Sequence, residues 1–80
     1  VAFESVESRL AAALLDLAQE GVVHATQAEL AARIGSAREV ISRRLDAFHR
    51  QGWVDTDRGV VRILNRAALT EAANVTPSQT

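Results

Sequence analysis

From Val6 onward the apolar residues Val6, Leu10, Ala13, Leu14 and Leu17 return every three or four positions, so they share one stripe of a helix. The spacing predicts a long amphipathic helix within residues 1–20 that stops before Gly21. The pattern then changes. GVVHA, residues 21–25, is a short β-branched run between a glycine and a helix start, and reads as a small strand able to join a later hairpin as its third member. At Thr26 helical spacing resumes with a capping-box signature, in which the Thr26 hydroxyl accepts from the Glu29 amide while the Glu29 carboxylate accepts from the Thr26 amide. Leu30, Ala31 and Ile34 form the inner face of this helix, and Gly35 can take the left-handed conformation that ends it.

A second helix follows almost at once. Ala37, Ile41, Leu45 and Phe48 recur at steps of four, four and three, which puts them on one face against the first helix. Glu39, Ser42, Arg43, Asp46 and Arg50 point the other way, with Arg38 on the flank near the start. So short a helix, broken by a glycine and followed by another, has helix-turn-helix spacing. Gly52 is placed to cap the second helix, and residues 53–56 and 60–64 read as two strands around Asp57-Arg58-Gly59. Asn65 is positioned to cap a last helix, residues 66–73, that closes the core through Leu69, and residues 74–80 are a polar tail expected to be disordered. The expected architecture is mainly α with a small antiparallel β wing, a winged helix-turn-helix.

Composition narrows the class. Eighty residues make one small domain, and with 48% hydrophobic but only 4% aromatic residues its core must be built of Ala, Leu, Val and Ile around Trp53 and two Phe. The absence of cysteine rules out disulfides and thiolate chemistry and agrees with a reducing, cytoplasmic setting. There is no apolar run of transmembrane length. A net charge of −1 looks wrong for a nucleic-acid binder until its distribution is read. Residues 1–32 carry Arg9 against Glu4, Glu7, Asp16, Glu20 and Glu29, a net of −4, whereas residues 33–66 carry eight Arg against Glu39, Asp46, Asp55 and Asp57, a net of +4. All nine basic residues are Arg, which suits forked contacts to phosphate and guanine, although coding bias would give the same composition.

The first two turns of the second helix offer Arg, Glu, Ser and Arg. Arg matches guanine O6 and N7 bidentately, and Glu accepts from the cytosine amino group, so this is base-edge chemistry for a major groove. At this point GSAREVISRRL, residues 35–45, resembles the recognition helix of the Crp/Fnr superfamily of bacterial transcription regulators. The resemblance runs upstream through TQAELAARIG and downstream through Gly52-Trp53, Arg58-Gly59 and VRILNRAAL, covering about residues 7–73. It implies that Arg38, Glu39 and Arg43 read bases in a GTGA-type half-site. It also implies that Thr26, Gln27, Ser36, Ser42, Arg44 and Arg58 meet phosphates. Ala37 and Val40 depart from the pattern, standing where many members have a hydroxyl, and Arg44 occupies a usually apolar position, so its stem should lie along the core edge.

On this resemblance residues 1–6 are the remnant of a linker from a missing sensor and dimerisation domain, which leaves Phe3 and Val6 exposed, and residues 7–73 are the DNA-binding module. A chain that opens on Val1 rather than Met reads as a piece of a longer protein. The partner is double-stranded DNA, with a homodimer in the full-length protein, a monomer for this stretch and no membrane. No cofactor is expected here; an effector such as a cyclic nucleotide would bind the missing domain. Competing readings are a winged helix used as a protein-interaction module and a winged-helix regulator of another family. The bland alternative for the outward face is a solvated helix surface with Glu39 and Arg43 paired at i,i+4. Arg33 and Arg62 read as solvated. His24 and His49 lie 25 residues apart without cysteine or ligand-spaced carboxylates, so a metal role is not indicated, and no nucleophile, base and orienter pattern suggests catalysis.

Overall fold

The computed structural model describes residues 6–74. Its elements run α1 (Val6–Leu17), β1 (Val22–Val23), α2 (Gln27–Ile34), α3 (Arg38–Arg50), β2 (Val54–Asp57), β3 (Val60–Ile63) and α4 (Arg66–Asn74). The mainly α architecture with a small antiparallel wing is thus observed. Expectations for residues 1–5 and 75–80, including Phe3 and most of the tail, lie outside the described residues.

The three strands make one antiparallel sheet in the order β1-β3-β2. Val22 and Val23 of β1 pair with Arg62 and Val61, while Val54 to Asp57 of β2 pair with Ile63 to Val60. α1 ends at Leu17, the last residue of its apolar stripe, short of the stop before Gly21 that the sequence predicts. The reason is the next turn, where Gln19 and Val22 exchange backbone hydrogen bonds of 2.8 and 3.1 Å. Glu20 and Gly21 both sit at positive φ, 56° and 79°, between them. That left-handed pair gives the tight twist a two-residue hairpin turn needs, and it takes the chain out of the helix.

The core is shared by every element. Leu10, Leu14, Val23, Leu30, Ile41, Val54 and Leu69 are fully buried, and Leu45 and Phe48 nearly so. Burying each Leu or Ile side chain stabilises the fold by roughly 1.5–3 kcal/mol. α1 lies across α2, α3 and α4, and the Ser8 hydroxyl, itself buried, donates to the Ala73 carbonyl at 3.0 Å, tying α1 to α4.

Four sequence expectations need correction. Val6 belongs to α1 and is half-buried against the core, because α1 still has α4 beneath it there. Asn74 is the last residue of α4, not the first of a tail. Trp53 precedes β2 and is only partly buried, since its carbonyl accepts the Leu64 and Asn65 amides at 2.8 and 3.0 Å and closes the hairpin base. Its ring packs on Phe48 at 5.2 Å between centroids. Ala37 is exposed, because it is the N-cap of α3 with extended φ, ψ of −76°, 144° and so lies outside the helical face that Ile41, Leu45 and Phe48 share.

Candidate nucleic-acid interface

α2 is held at both ends. Thr26 caps it with the full reciprocal box, the Glu29 amide donating to Thr26 Oγ1 at 3.1 Å and the Thr26 amide to Glu29 Oε1 at 2.8 Å. At its other end Gly35 is left-handed (φ 69°), and its amide donates to the Ala31 carbonyl. The Ser36 amide reaches the same carbonyl at 2.9 Å. The chain therefore turns within three residues and enters α3. α3 buries Ile41, Leu45 and Phe48 and leaves Arg38, Glu39, Ser42, Arg43, Asp46, His49 and Arg50 exposed. Arg44 is also exposed, as its charge requires at the core edge.

The wing returns beside the start of α2. A Cβ on Gly59, at φ 65°, would stand 3.9 Å from the Thr26 methyl group. Between them opens a cleft of about 710 Å³ lined by Thr26 and Gln27 of α2, Arg38 and Leu45 of α3, and Thr56 to Gly59 and Val61 of the wing. The structure thus gathers Thr26, Gln27, Arg38 and Arg58, four residues from three separated parts of the sequence, around one opening. Arg38, Ser42 and His49 form the flank of α3 with Leu45, at the i, i+4, i+7 and i+11 spacing of one helix ridge. Glu39 and Arg43 do not line the cleft; they occupy the outermost ridge, and Ser36 is half-buried in the turn. Thr56 and Asp57, which the sequence reading did not single out, also line the cleft, and Asp57 Oδ1 accepts the Arg58 amide at 2.8 Å, fixing the wing tip. Their only advance signal is the Asp-Arg-Gly turn.

The arginines divide into two groups. Arg33 pairs with Asp16, Arg50 with Asp46 at 2.9 Å, and Arg62 approaches Asp55 at 3.9 Å, with Arg33 and Arg62 both exposed as their positions suggested. Arg38, Arg43, Arg44 and Arg58 have no ion pair among the described residues, and the anticipated Glu39–Arg43 bridge does not form. The cleft arginines and two of those on α3 are thus left without a carboxylate among the described residues, as is Arg66 at the start of α4, while Arg50 at the far end of α3 is neutralised by Asp46. No group of three His, Cys, Asp or Glu that could hold a metal occurs among the described residues. His49 Nδ1 lies 3.2 Å from the Val54 carbonyl and 3.9 Å from Asp55.

A glycine-turned helix pair, a wing and an arginine-lined cleft define a winged-helix DNA-binding domain. The chain belongs to the Crp-like helix-turn-helix domain family, whose model matches residues 8–72. It is 32% identical over 82 residues to the transcriptional regulator SdrP of Thermus thermophilus, covering 91% of this chain and 41% of that protein. It is also 38% identical over 76 residues to the cyclic AMP receptor protein of the same organism, covering 91% and 35%. A solved CRP/FNR-family transcriptional regulator from Thermus thermophilus superposes with a TM-score of 0.83 at 33% identity, over 90% of this chain and 42% of its own. The chain therefore spans about two-fifths of the regulators it matches, and it is the DNA-binding output domain of a Crp/Fnr-type regulator. No helix among the described residues is long and apolar enough to cross a membrane.

Proposed function

We propose that α3 enters the major groove, with Arg38, Glu39 and Arg43 reading base edges and Thr26, Gln27, Ser36, Ser42, Arg44 and Arg58 holding phosphates. The observation that carries this reading is that Arg38 and Arg58, which line the cleft, and Arg43 and Arg44 on α3 lack carboxylate partners among the described residues, whereas Arg33, Arg50 and Arg62 have them. No side chain caps α3, and while the Val40 amide donates to the Ala37 carbonyl at 3.0 Å, the amides of Arg38 and Glu39 have no side-chain or intrahelical acceptor and can meet a phosphate. The outward face of α3 presents no large apolar anchor, and Leu64, the exposed large hydrophobic residue among the described residues, lies outside it, which disfavours a protein-docking role for that helix. Glu39, not engaged by Arg43, is available to accept from a cytosine amino group.

The longer protein, in this reading, is a cytoplasmic homodimer that reads two half-sites related by two-fold symmetry. A sensor domain, with an effector such as a cyclic nucleotide, sets the separation of the recognition helices. The curated relative named as a cyclic AMP receptor supports that effector class. Residues 1–6 would lead from the sensor domain, and the module alone would bind one half-site as a monomer, weakly and with strong salt dependence.

The test is titration of the chain with a GTGA-type half-site duplex and a scrambled duplex. Arg43→Ala is expected to cost about 1–3 kcal/mol on the half-site and to relax preference at one base pair. Equal losses on both duplexes would sink the base-reading role, and absence of binding to either would turn attention to a protein partner.

A further inference from the structure

We propose that Arg9 is a positioning residue for DNA recognition: from α1 it holds the turn between α2 and α3, and so fixes how α3 is presented, without touching DNA. This rests on the DNA-binding reading above. The last carbonyls of a helix have no amide of their own to accept from. In α2 the Gly35 and Ser36 amides both go to Ala31, which leaves the carbonyl of Ile34, the last helical residue, without either of them. The Arg9 guanidinium donates to the Ile34 carbonyl. A cation at a helix C-terminus is also favoured by the helix dipole.

Two further observations show that this is a grip and not a lone contact. The Arg9 Nη2 atom lies 3.7 Å from where a Cβ on Gly35 would stand, so the guanidinium covers the outside of the turn itself. Asp16 sits seven residues further along α1, on the same face, and pairs with Arg33. Arg9 and Asp16 therefore hold Ile34 and Arg33, consecutive residues of the last turn of α2, from one face of α1. Beyond Ile34 the chain has only Gly35, Ser36 and Ala37 before Arg38. Any slackening at Ile34 is passed directly to the phosphate-holding Ser36 and the base-reading Arg38. Arg9 is the one basic residue in an otherwise acidic stretch of 32, and the structure directs it inward to a backbone carbonyl.

The experiment compares the wild-type chain with Arg9→Ala and Arg9→Lys by fluorescence anisotropy on the half-site and scrambled duplexes across a salt series. Thermal melts and amide exchange at Gly35 and Ser36 are recorded alongside. Arg9→Ala is expected to lose roughly threefold to tenfold on the half-site, the net scale of one ordinary hydrogen bond, and little on scrambled DNA. The slope of log affinity against log salt is expected to match wild type, because no phosphate contact is removed. Exchange at Gly35 and Ser36, whose amides both donate to the Ala31 carbonyl, should quicken, and Lys, whose ammonium can still reach the Ile34 carbonyl, should restore part of the preference. A slope shallower by about one with equal loss on both duplexes would instead make Arg9 a phosphate contact. A lower melting temperature with unchanged DNA preference would make it purely structural. If Arg9→Ala does not fold, Arg9→Lys carries the same comparison. Should the wild-type chain show no half-site preference, the DNA-binding reading fails on its own, and the exchange rates still decide whether Arg9 holds the turn.

Discussion

α2 and α3 are neighbours built on the same apolar period, yet their starts are finished in opposite ways. α2 has 8 residues, too few to persist alone, and side chains help to hold it at both ends. Thr26 and Glu29 satisfy its start, and Gly35, Ser36 and Arg9 satisfy its end. α3 has 13 residues, is held by Ile41, Leu45 and Phe48, and begins at Ala37 with no side-chain cap at all. One helix spends its polar groups on being a scaffold. The other leaves Arg38, Glu39 and Arg43 without ion pairs among the described residues.

The comparison can be broken most forcefully at the scaffold. Leu30→Ala removes a fully buried side chain from α2 and is expected to destabilise the domain by about 2–5 kcal/mol in urea unfolding. A loss below about 1 kcal/mol would show that α2 is dispensable to the core. Thr26→Ala is next, with about 1 kcal/mol lost as the capping box opens. Its effect on half-site binding, measured in parallel, separates the cap from any phosphate contact made by the same hydroxyl. The smallest change is the most pointed: Ala37→Ser supplies α3 with the cap it lacks and is expected to add about 0.5–1 kcal/mol of stability. Unchanged stability would mean that the start of α3 has no unmet demand, and the contrast between the helices would lose its basis.

Much of this was legible in the chain. The capping box at Thr26, the glycine turn at Gly35, the hairpin around Arg58 and Gly59 and the Asn65 cap, whose Oδ1 accepts the Ala68 amide at 3.0 Å, are local chemistry, decided by residues within a few positions of one another. The pairing of β1 with β3 was also readable from its β-branched residues. Less visible was whatever depends on distant partners. Nothing near Arg9 in sequence indicates that its acceptor is Ile34, and nothing near Arg33 indicates Asp16. The expected Glu39–Arg43 pair had correct spacing but was not formed, whereas Asp46 and Arg50, at the same spacing, did pair. Periodicity proposes such partners; the competition for each charge is settled only in three dimensions. The cleft itself could not be read, because Gln27, Arg38 and Arg58 converge only once the wing folds back on α2.

The placing of β3 has a consequence for how the domain opens. A wing is often pictured as a flap, but here its inner strand is the middle of the sheet. β3 bonds β2 on one side and β1 on the other, and the Ile63 amide also donates to the Gly21 carbonyl at 2.8 Å. β1 leads straight from α1, and Val23, Val54 and Val61 are buried in the common core. Peeling the hairpin away would therefore uncover the core and part the first third of the chain from the last. Opening of the wing and unfolding of the domain become one event with one free energy, so the slowest-exchanging amides should include those of β3 as well as those of the helices. Only the two residues at the turn, Arg58 and Gly59, are left outside that cooperative unit to adjust to what they touch.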